Sequence, residues 1–175
     1  MTDATVAWPE LLRRILRRDV EAFARVIADY PDEAQLWAAP AGVANSTGTL
    51  ALHLAGNLRH FIGLLLGGVP YVRDRPSEFA RRGVPRAELL EGLGAAVAAI
   101  DCALPQVTDA RLATTFPEAV GGVQVSVAEM LVHLVSHTAY HLGQADYHRR
   151  LVTGRSETIG AVRLTEIVTP AAERP

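Results

Sequence analysis

The chain has 175 residues, of which 49% are hydrophobic and 21% charged, and its formal net charge at pH 7 is -2. Such a composition is typical of a single folded globular domain and excludes a disordered chain. The slight negative charge also excludes a surface built as a whole for nucleic acid or for an anionic membrane.

The chain also lacks the sequence features of membrane insertion and secretion. No apolar run reaches the roughly 20 residues that cross a bilayer, and the amino terminus carries Asp3 and Trp8-Pro9-Glu10 where a signal peptide has its apolar core. The single cysteine, Cys102, excludes an internal disulfide and a cysteine-based metal cage. We therefore expect a cytoplasmic protein with no nucleic-acid or membrane partner.

Apolar residues recur at the three- and four-residue spacing of a helix in four segments, residues 9–30, 47–66, 85–104 and 126–152. Gly67-Gly68 closes the second segment and Pro85 begins the third. Ser126 and Glu129 form a capping box before the fourth, which Gly154 ends. The pattern predicts four helices of about 20 residues, each about 30 Å long.

The segments between these helices are long and irregular, and "VGGVQV" at 120–125 predicts a short extended piece. The tail could hold a short strand, and its last six residues are expected to be loose. The whole pattern predicts an all-α four-helix bundle with long connections. We assign residues 1–155 to the bundle domain and 156–175 to a C-terminal extension that packs on the bundle or is partly loose.

The stretch "HLVSHTAYH" places His133, His137 and His141 at intervals of four. Neighbouring histidines at this spacing share a helix face and can bind one metal ion, whereas His133 and His141 are about 12 Å apart along the axis and cannot readily do so. His137 and His141 continue a core seam with Met130 and Leu134, and His133 lies at the edge of that seam. The pair that faces inward is therefore His137 and His141.

A third ligand is available in the second predicted helix, where "HLAGNLRH" puts His53, Asn57 and His60 on one stripe. Either His53 or His60 could complete a three-histidine site. Such a site with an open position activates water or a thiol, whereas a fourth ligand from His60 or Asn57 would make it purely structural. The alternative without a metal is that the histidines pair with carboxylates or cap loops.

Several other polar residues are candidates for supporting roles. Gln144 and Tyr140 could orient ligands or substrate, and Tyr140 could equally pack between helices. Asp146 is interpreted as a solvated charge and His148 as a solvated or packing residue. The exposed arc of Arg13, Arg14, Arg17 and Arg18 is interpreted as a solvated face. A second group of arginines in the long connection could contact an anionic cosubstrate: Arg73, Arg75, Arg81, Arg82 and Arg86.

The segments "LALHLAGNLRHFIG" and "LVHLVSHTAYHLGQADYHRRL" resemble the two signature segments of the DinB-like, or YfiT-like, metal-binding superfamily. The resemblance covers residues 8–152 and implies a four-helix bundle of up-down-down-up topology. It assigns the metal ligands to His53, His137 and His141, and the further histidine at His133 is not usually counted as a ligand. Many relatives have Arg where this chain has Leu142, which leaves any role of that Arg unfilled.

The resemblance implies a divalent metal and, from the better understood branches, a low-molecular-weight thiol such as mycothiol or bacillithiol. The expected activity is transfer or isomerisation, with the metal stabilising the thiolate for attack on an electrophile. Zn²⁺ is the first choice of metal, and Ni²⁺, Fe²⁺ or Co²⁺ also suit three imidazoles. A hydrolase that activates water and a non-catalytic, stress-related bundle remain open alternatives. The resemblance also implies a homodimer and a small-molecule substrate.

Overall fold

The computed structural model describes residues 7–160 and 162–168. Asp3 lies outside these ranges. The last six residues, which we expected to be loose, also lie outside them. The described part of the chain forms four long helices, as predicted, here named α1 (Trp8–Ala28), α2 (Thr47–Leu58), α4 (Arg86–Ala103) and α6 (Val127–Thr153).

Shorter helical turns occupy the connections. They are α3 (Arg75–Ala80), α5 (Asp109–Leu112) and 3₁₀ turns at Glu33–Trp37, Leu104–Gln106 and Leu164–Glu166. Residues 7–160 and 162–168 contain no β-strand. The predicted extended piece is an isolated bridge between Val120 and Val123, and the tail residues 162–168 hold a helical turn where a strand was considered.

Ion pairs and hydrogen bonds at the helix ends fix the directions of α1 and α4. Arg17 in the first half of α1 pairs with Asp101 near the end of α4, with 2.7 Å between Nη1 and Oδ2. At the opposite end, Arg86 at the start of α4 donates to the carbonyl of Tyr30, just after α1, at 2.6 Å. The two helices are therefore antiparallel.

His148, near the end of α6, fixes the direction of that helix. Its Nδ1 lies 2.7 Å from the hydroxyl of Tyr30, beyond the end of α1, and 3.0 Å from that of Thr47, at the start of α2. Helix α6 is thus parallel to α1 and antiparallel to α2. The buried position of His148 agrees with the packing role that was one of its two interpretations.

Helices α2 and α4 run parallel and pack closely through small residues. A Cβ added at Gly92 would lie 3.5 Å from that of Ala55, and one added at Gly63 would lie 2.9 Å from that of Ala99. The order of directions is therefore up-down-down-up, which confirms the expected topology. Apolar residues on the inner helix faces form one buried core.

The second predicted helix has an unexpected geometry in its last part. Beyond Leu58 the α-helix continues as a π-helical segment, Arg59–Leu64, before the chain turns at Gly68 with φ +67°. The wider turn places one additional residue in the helix, which is common near functional sites. No helix in the described ranges combines the length and apolar character needed to cross a membrane.

Asp146 joins α6 to the segment that follows it, and its prediction as a solvated charge is wrong. Its side chain is buried. Two donors stabilise the buried carboxylate: Oδ2 accepts a 2.7 Å hydrogen bond from Arg150, and Oδ1 accepts one from the backbone N–H of Ile159 at 3.3 Å. Burial alone raises the pKa of Asp146, but these donors outweigh it and the pKa is lowered. The chain after α6 is therefore tied back onto the bundle.

Candidate metal centre

Three histidines from two helices converge in the bundle. His53 projects from α2, and His137 and His141 project from α6 one turn apart. The Nε2 atom of His137 lies 3.3 Å from Nε2 of His53 and 3.0 Å from Nε2 of His141. These three are the residues to which the resemblance assigned the metal, and each offers a ligand atom within 4.8 Å of the others.

Hydrogen bonds on the outer ring nitrogens fix the tautomers of two of these histidines. Nδ1 of His53 lies 3.0 Å from a carboxylate oxygen of Glu78, and Nδ1 of His141 lies 2.7 Å from Oε1 of Gln144. Since both partners are acceptors, each Nδ1 carries the proton. Each Nε2 therefore presents a lone pair towards His137.

Protons alone do not satisfy this arrangement. Nε2 of His137 can carry one proton and can donate it to only one of its two neighbours. In the described residues, Nδ1 of His137 is buried and has no hydrogen-bond partner. Three nitrogens at about 2.0 to 2.1 Å from a tetrahedral Zn²⁺ are about 3.3 Å apart, close to the separations found here. The residues present thus fit a metal ion that accepts all three lone pairs.

The electrostatic surroundings keep His137 and His141 in their neutral imidazole form. Burial, with further contributions from His141 and His53, lowers the pKa of His137 to about 3. Burial also lowers the pKa of His141, although the hydrogen bond to Gln144 opposes this effect. Neutral imidazole is the form that binds metal, so the bundle holds these ligands ready at neutral pH.

Glu78 and Arg73 form a supporting pair behind His53. Arg73 donates to both carboxylate oxygens of Glu78, with Nε–Oε1 at 2.8 Å and Nη2–Oε2 at 2.9 Å. Burial raises the pKa of Glu78, but the hydrogen bonds from His53 and Arg73 prevail and lower it. The carboxylate therefore stays charged and fixes the orientation of the His53 ring.

Gly56 provides the space for this carboxylate. A Cβ at position 56 would overlap Oε1 of Glu78, so only glycine is compatible with the observed position of the Glu78 carboxylate. Sequence reasoning did not identify Glu78, which lies in the short helix α3, 25 residues from His53. The Asp74 cap of α3, which accepts from the backbone N–H of Ser77, indicates a helix start but not its proximity to α2.

Two of the other candidate ligands, His60 and His133, do not join the three-histidine cluster. Nε2 of His60 lies 3.0 Å from a carboxylate oxygen of Glu118. His133 is exposed, and its ring centre is 5.7 Å from that of His137. Asn57 is buried, and its Oδ1 has no hydrogen-bond partner in the described ranges.

The remaining predicted residues have mixed outcomes. Gln144 orients His141, as suggested from the sequence. Tyr140 is 65% exposed, so it does not pack between helices, and its ring centre lies 5.5 Å from that of His141. Arg73 holds Glu78, and Arg81 pairs with Glu88. The four arginines of the arc predicted on α1 pair with carboxylates of their own chain.

Comparison with known proteins identifies a family and similar solved structures. The family model described as mycothiol-S-transferase matches residues 11–154. A solved structure described as a conserved protein from Enterococcus faecalis is 25% identical, with a TM-score of 0.67 over 86% of this chain and 100% of the other. The search of curated proteins found no match.

Proposed function

The chain belongs to the mycothiol S-transferase family. From that premise we propose that it is a metal-dependent enzyme that uses a low-molecular-weight thiol either to transfer the thiol sulfur to an electrophile or to isomerise a substrate. In this proposal the metal ligands are His53, His137 and His141. The small-molecule substrate is an electrophile, and the thiol is the cosubstrate. We also predict that the protein is located in the cytoplasm and that it forms a homodimer.

The observation that carries the proposal is the set of three converging Nε2 atoms with their outer nitrogens occupied. Glu78 and Gln144 orient two of the rings, which is the arrangement that raises ligand basicity in metal sites. In residues 7–160 and 162–168, His53, His137 and His141 form the one group of three or more His, Cys, Asp or Glu side chains able to hold an ion. Three protein ligands leave coordination positions for a substrate.

Zn²⁺ is the proposed metal. The spacing of the nitrogens fits tetrahedral zinc, and imidazole is a preferred zinc ligand. Ni²⁺ and Fe²⁺ also bind imidazole, so elemental analysis must decide among the three.

When bound, a divalent metal supplies Lewis acidity that lowers the pKa of a thiol and so favours thiolate at neutral pH. The residues of the chain do the rest. Neutral His137 and His141 offer lone pairs without competing protons, and Glu78 holds His53 in place. In the overall transfer, the cosubstrate sulfur forms a bond to the electrophilic carbon, and the leaving group departs with its electron pair. The thiol proton passes to solvent, which reaches the partly buried His137 and His141.

The two alternatives make different demands on the site. A hydrolase needs a base to take a proton from water, and the nearby carboxylate, Glu78, is engaged by His53 and Arg73. A structural metal needs a fourth protein ligand; His60 is paired with Glu118, which leaves Asn57 as the candidate for that ligand. The contacts of Glu78 favour thiol transfer over hydrolysis, and the pairing of His60 counts against a structural metal.

The test compares three variants by elemental analysis of untagged protein. His53→Ala and His137→Ala should each lose the stoichiometric metal, and His60→Ala should keep it. Addition of mycothiol to cobalt-substituted protein should then give a sulfur-to-metal charge-transfer band. Metal retained in His53→Ala or His137→Ala would overturn the ligand assignment. A cobalt absorption spectrum that does not change when thiol is added would favour the hydrolase or structural role.

A further inference from the structure

Asn57 is a buried polar residue of α2 that lacks a hydrogen-bond partner in the described structure. The residue is 7% exposed, and its Oδ1 atom is buried and unpaired within residues 7–160 and 162–168. Burial of an unpaired amide is unfavourable, and buried polar side chains in folded proteins are nearly always hydrogen-bonded. The position of Asn57 therefore calls for a partner that the amide acquires when the site is in use.

His137 has the complementary need. Its Nδ1 atom is also buried and has no hydrogen-bond partner in the described ranges. When Nε2 of a histidine binds a metal, the ring proton is on Nδ1, and this N–H requires an acceptor. Nδ1 of His53 and Nδ1 of His141 already have acceptors, which are Glu78 and Gln144. Among the three histidines of the cluster, His137 is thus the one without an outer acceptor in the described part of the chain.

The packing of α2 against α6 places Asn57 opposite His137. The ring centre of His53 lies 5.2 Å from that of His137 and 5.3 Å from that of His141. Asn57 follows His53 by one helical turn on the same face of α2. Because the two helices are antiparallel, one turn forward on α2 corresponds to one turn back on α6, from His141 to His137. Asn57 therefore has the register towards His137 that His53 has towards His141.

The unpaired nitrogen of His137 is on the side of its ring that faces away from the other two ligands. Nε2 of His137 points towards His53 and His141. The two nitrogens of an imidazole ring point in widely different directions, so Nδ1 is directed to the other side. Asn57 lies one turn beyond His53 on that side. His133 is the other polar neighbour there, but it is exposed, so water can satisfy its nitrogens.

We propose that Asn57 is a positioning residue of the metal centre, and that its Oδ1 accepts a hydrogen bond from Nδ1–H of His137 in the metal-bound protein. The last side-chain torsion of asparagine is broad, so rotation of the amide can turn its oxygen towards the ring. This inference rests on the metal-binding part of the proposed function. It gives each of the three ligands its own outer acceptor.

The same inference separates Asn57 from the role of fourth ligand. Zn²⁺ in proteins is bound by thiolate, imidazole and carboxylate, whereas amide oxygens are typical ligands of harder ions such as Ca²⁺. An amide that serves His137 from outside leaves the remaining coordination positions to solvent or substrate. Asn57 thus keeps the metal centre open while it orients a ligand.

The experiment compares two substitutions of Asn57. Asn57→Leu keeps the branched shape of the side chain and removes the acceptor, and Asn57→Asp keeps an acceptor oxygen. Gln35→Leu is the matched control, because Oε1 of Gln35 is also buried without a partner, while its Nε2 donates to the carbonyl of Val152 near the end of α6. Zinc affinity is measured by competition with a chromophoric chelator. NMR of protein with ¹⁵N-labelled histidine rings follows Nδ1–H of His137, and thermal unfolding gives the Tm without metal.

We expect Asn57→Leu to lower zinc affinity roughly 10- to 100-fold, because a metal-bound histidine loses its outer acceptor. The Tm of the metal-free Asn57→Leu protein should stay the same or rise, since the change removes an unpaired buried amide. In zinc-loaded protein, Nδ1–H of His137 should exchange slowly with water in the unmodified chain and in Asn57→Asp, and rapidly in Asn57→Leu. Asn57→Asp and Gln35→Leu should both retain zinc affinity.

The outcomes separate this inference from the proposed function. Zinc binding that is the same in Asn57→Leu and the unmodified protein would overturn the role of Asn57 and leave the three-histidine assignment standing. Slow exchange of the His137 Nδ1–H in Asn57→Leu would do the same. A changed coordination number in the absorption spectrum of cobalt-substituted Asn57→Leu would make Asn57 a ligand and overturn its positioning role. An unmodified protein that binds no zinc would overturn the ligand assignment and this inference together.

Discussion

Replacing Glu78 by Gln tests whether the carboxylate behind His53 controls the metal centre. The change keeps the size of the side chain and removes its charge. Glu78 accepts from His53 at 3.0 Å and from two nitrogens of Arg73 at 2.8 and 2.9 Å. One amide oxygen cannot replace both carboxylate oxygens, so either His53 or Arg73 loses its acceptor.

The expected magnitudes follow from these contacts. Loss of an outer-sphere partner of a metal-bound histidine typically lowers metal affinity 10- to 100-fold, or about 1.4 to 2.7 kcal/mol. In the metal-free protein, loss of about one charge-assisted hydrogen bond should lower the free energy of unfolding by about 2 kcal/mol. For a chain of this length, that corresponds to a fall in Tm of about 4 to 8 °C.

Zinc affinity is measured by competition with a chromophoric chelator, and Tm by thermal unfolding with and without zinc. Glu88→Gln is the matched control, since Glu88 also pairs with an arginine, Arg81, but this pair is exposed and touches no histidine. Equal zinc affinities in Glu78→Gln and Glu88→Gln would refute the role assigned to the carboxylate. A loss of affinity in Glu78→Gln alone would establish it.

Three further outcomes are expected. Gly56→Ala should displace Glu78 and lower zinc affinity at least tenfold, measured by the same competition, because the added Cβ overlaps Oε1 of Glu78. Gly143→Ala, in contrast, meets no atom within 4 Å in the middle of α6 and should raise the free energy of unfolding by about 0.5 to 1 kcal/mol in urea denaturation, leaving zinc affinity unchanged. The free energy of unfolding of the metal-free protein should fall as the pH drops below 6.5. Burial lowers the pKa of His148 in the folded state, so below this pH the His148 side chain is protonated in the unfolded chain and stays neutral in the folded one. His137 contributes in the same direction, so a His148→Gln variant with an unaltered pH slope would contradict the contribution of His148.

The helices could be predicted because their signals are local. The capping box of Ser126 and Glu129 is present, and α6 ends at Gly154 with φ +71°. The seam that contains His137 and His141 followed from helical periodicity alone. The choice of His53 over His60 required the family resemblance, because both lie on the same predicted stripe.

The parts that could not be predicted depend on contacts between distant segments. Glu78 reaches His53 from α3, and no periodicity relates a short helix in a connection to a histidine in α2. Asp146 was misread because its partners include the backbone N–H of Ile159, which folds back after α6. The π-helical Arg59–Leu64 has no recognisable signal in its residue types. Each of these features depends on tertiary packing rather than on local sequence.

The positions of His53 and His137, 84 residues apart in the chain, have a consequence for folding. An ion held by both would act as a cross-link that closes a long loop, and closure of long loops removes the most entropy from the unfolded chain. Helices α2 and α6 would then resist separation in proportion to the free metal concentration. Amide hydrogen exchange at this seam would slow as zinc is added, so the protein's resistance to local unfolding would report the supply of metal around it.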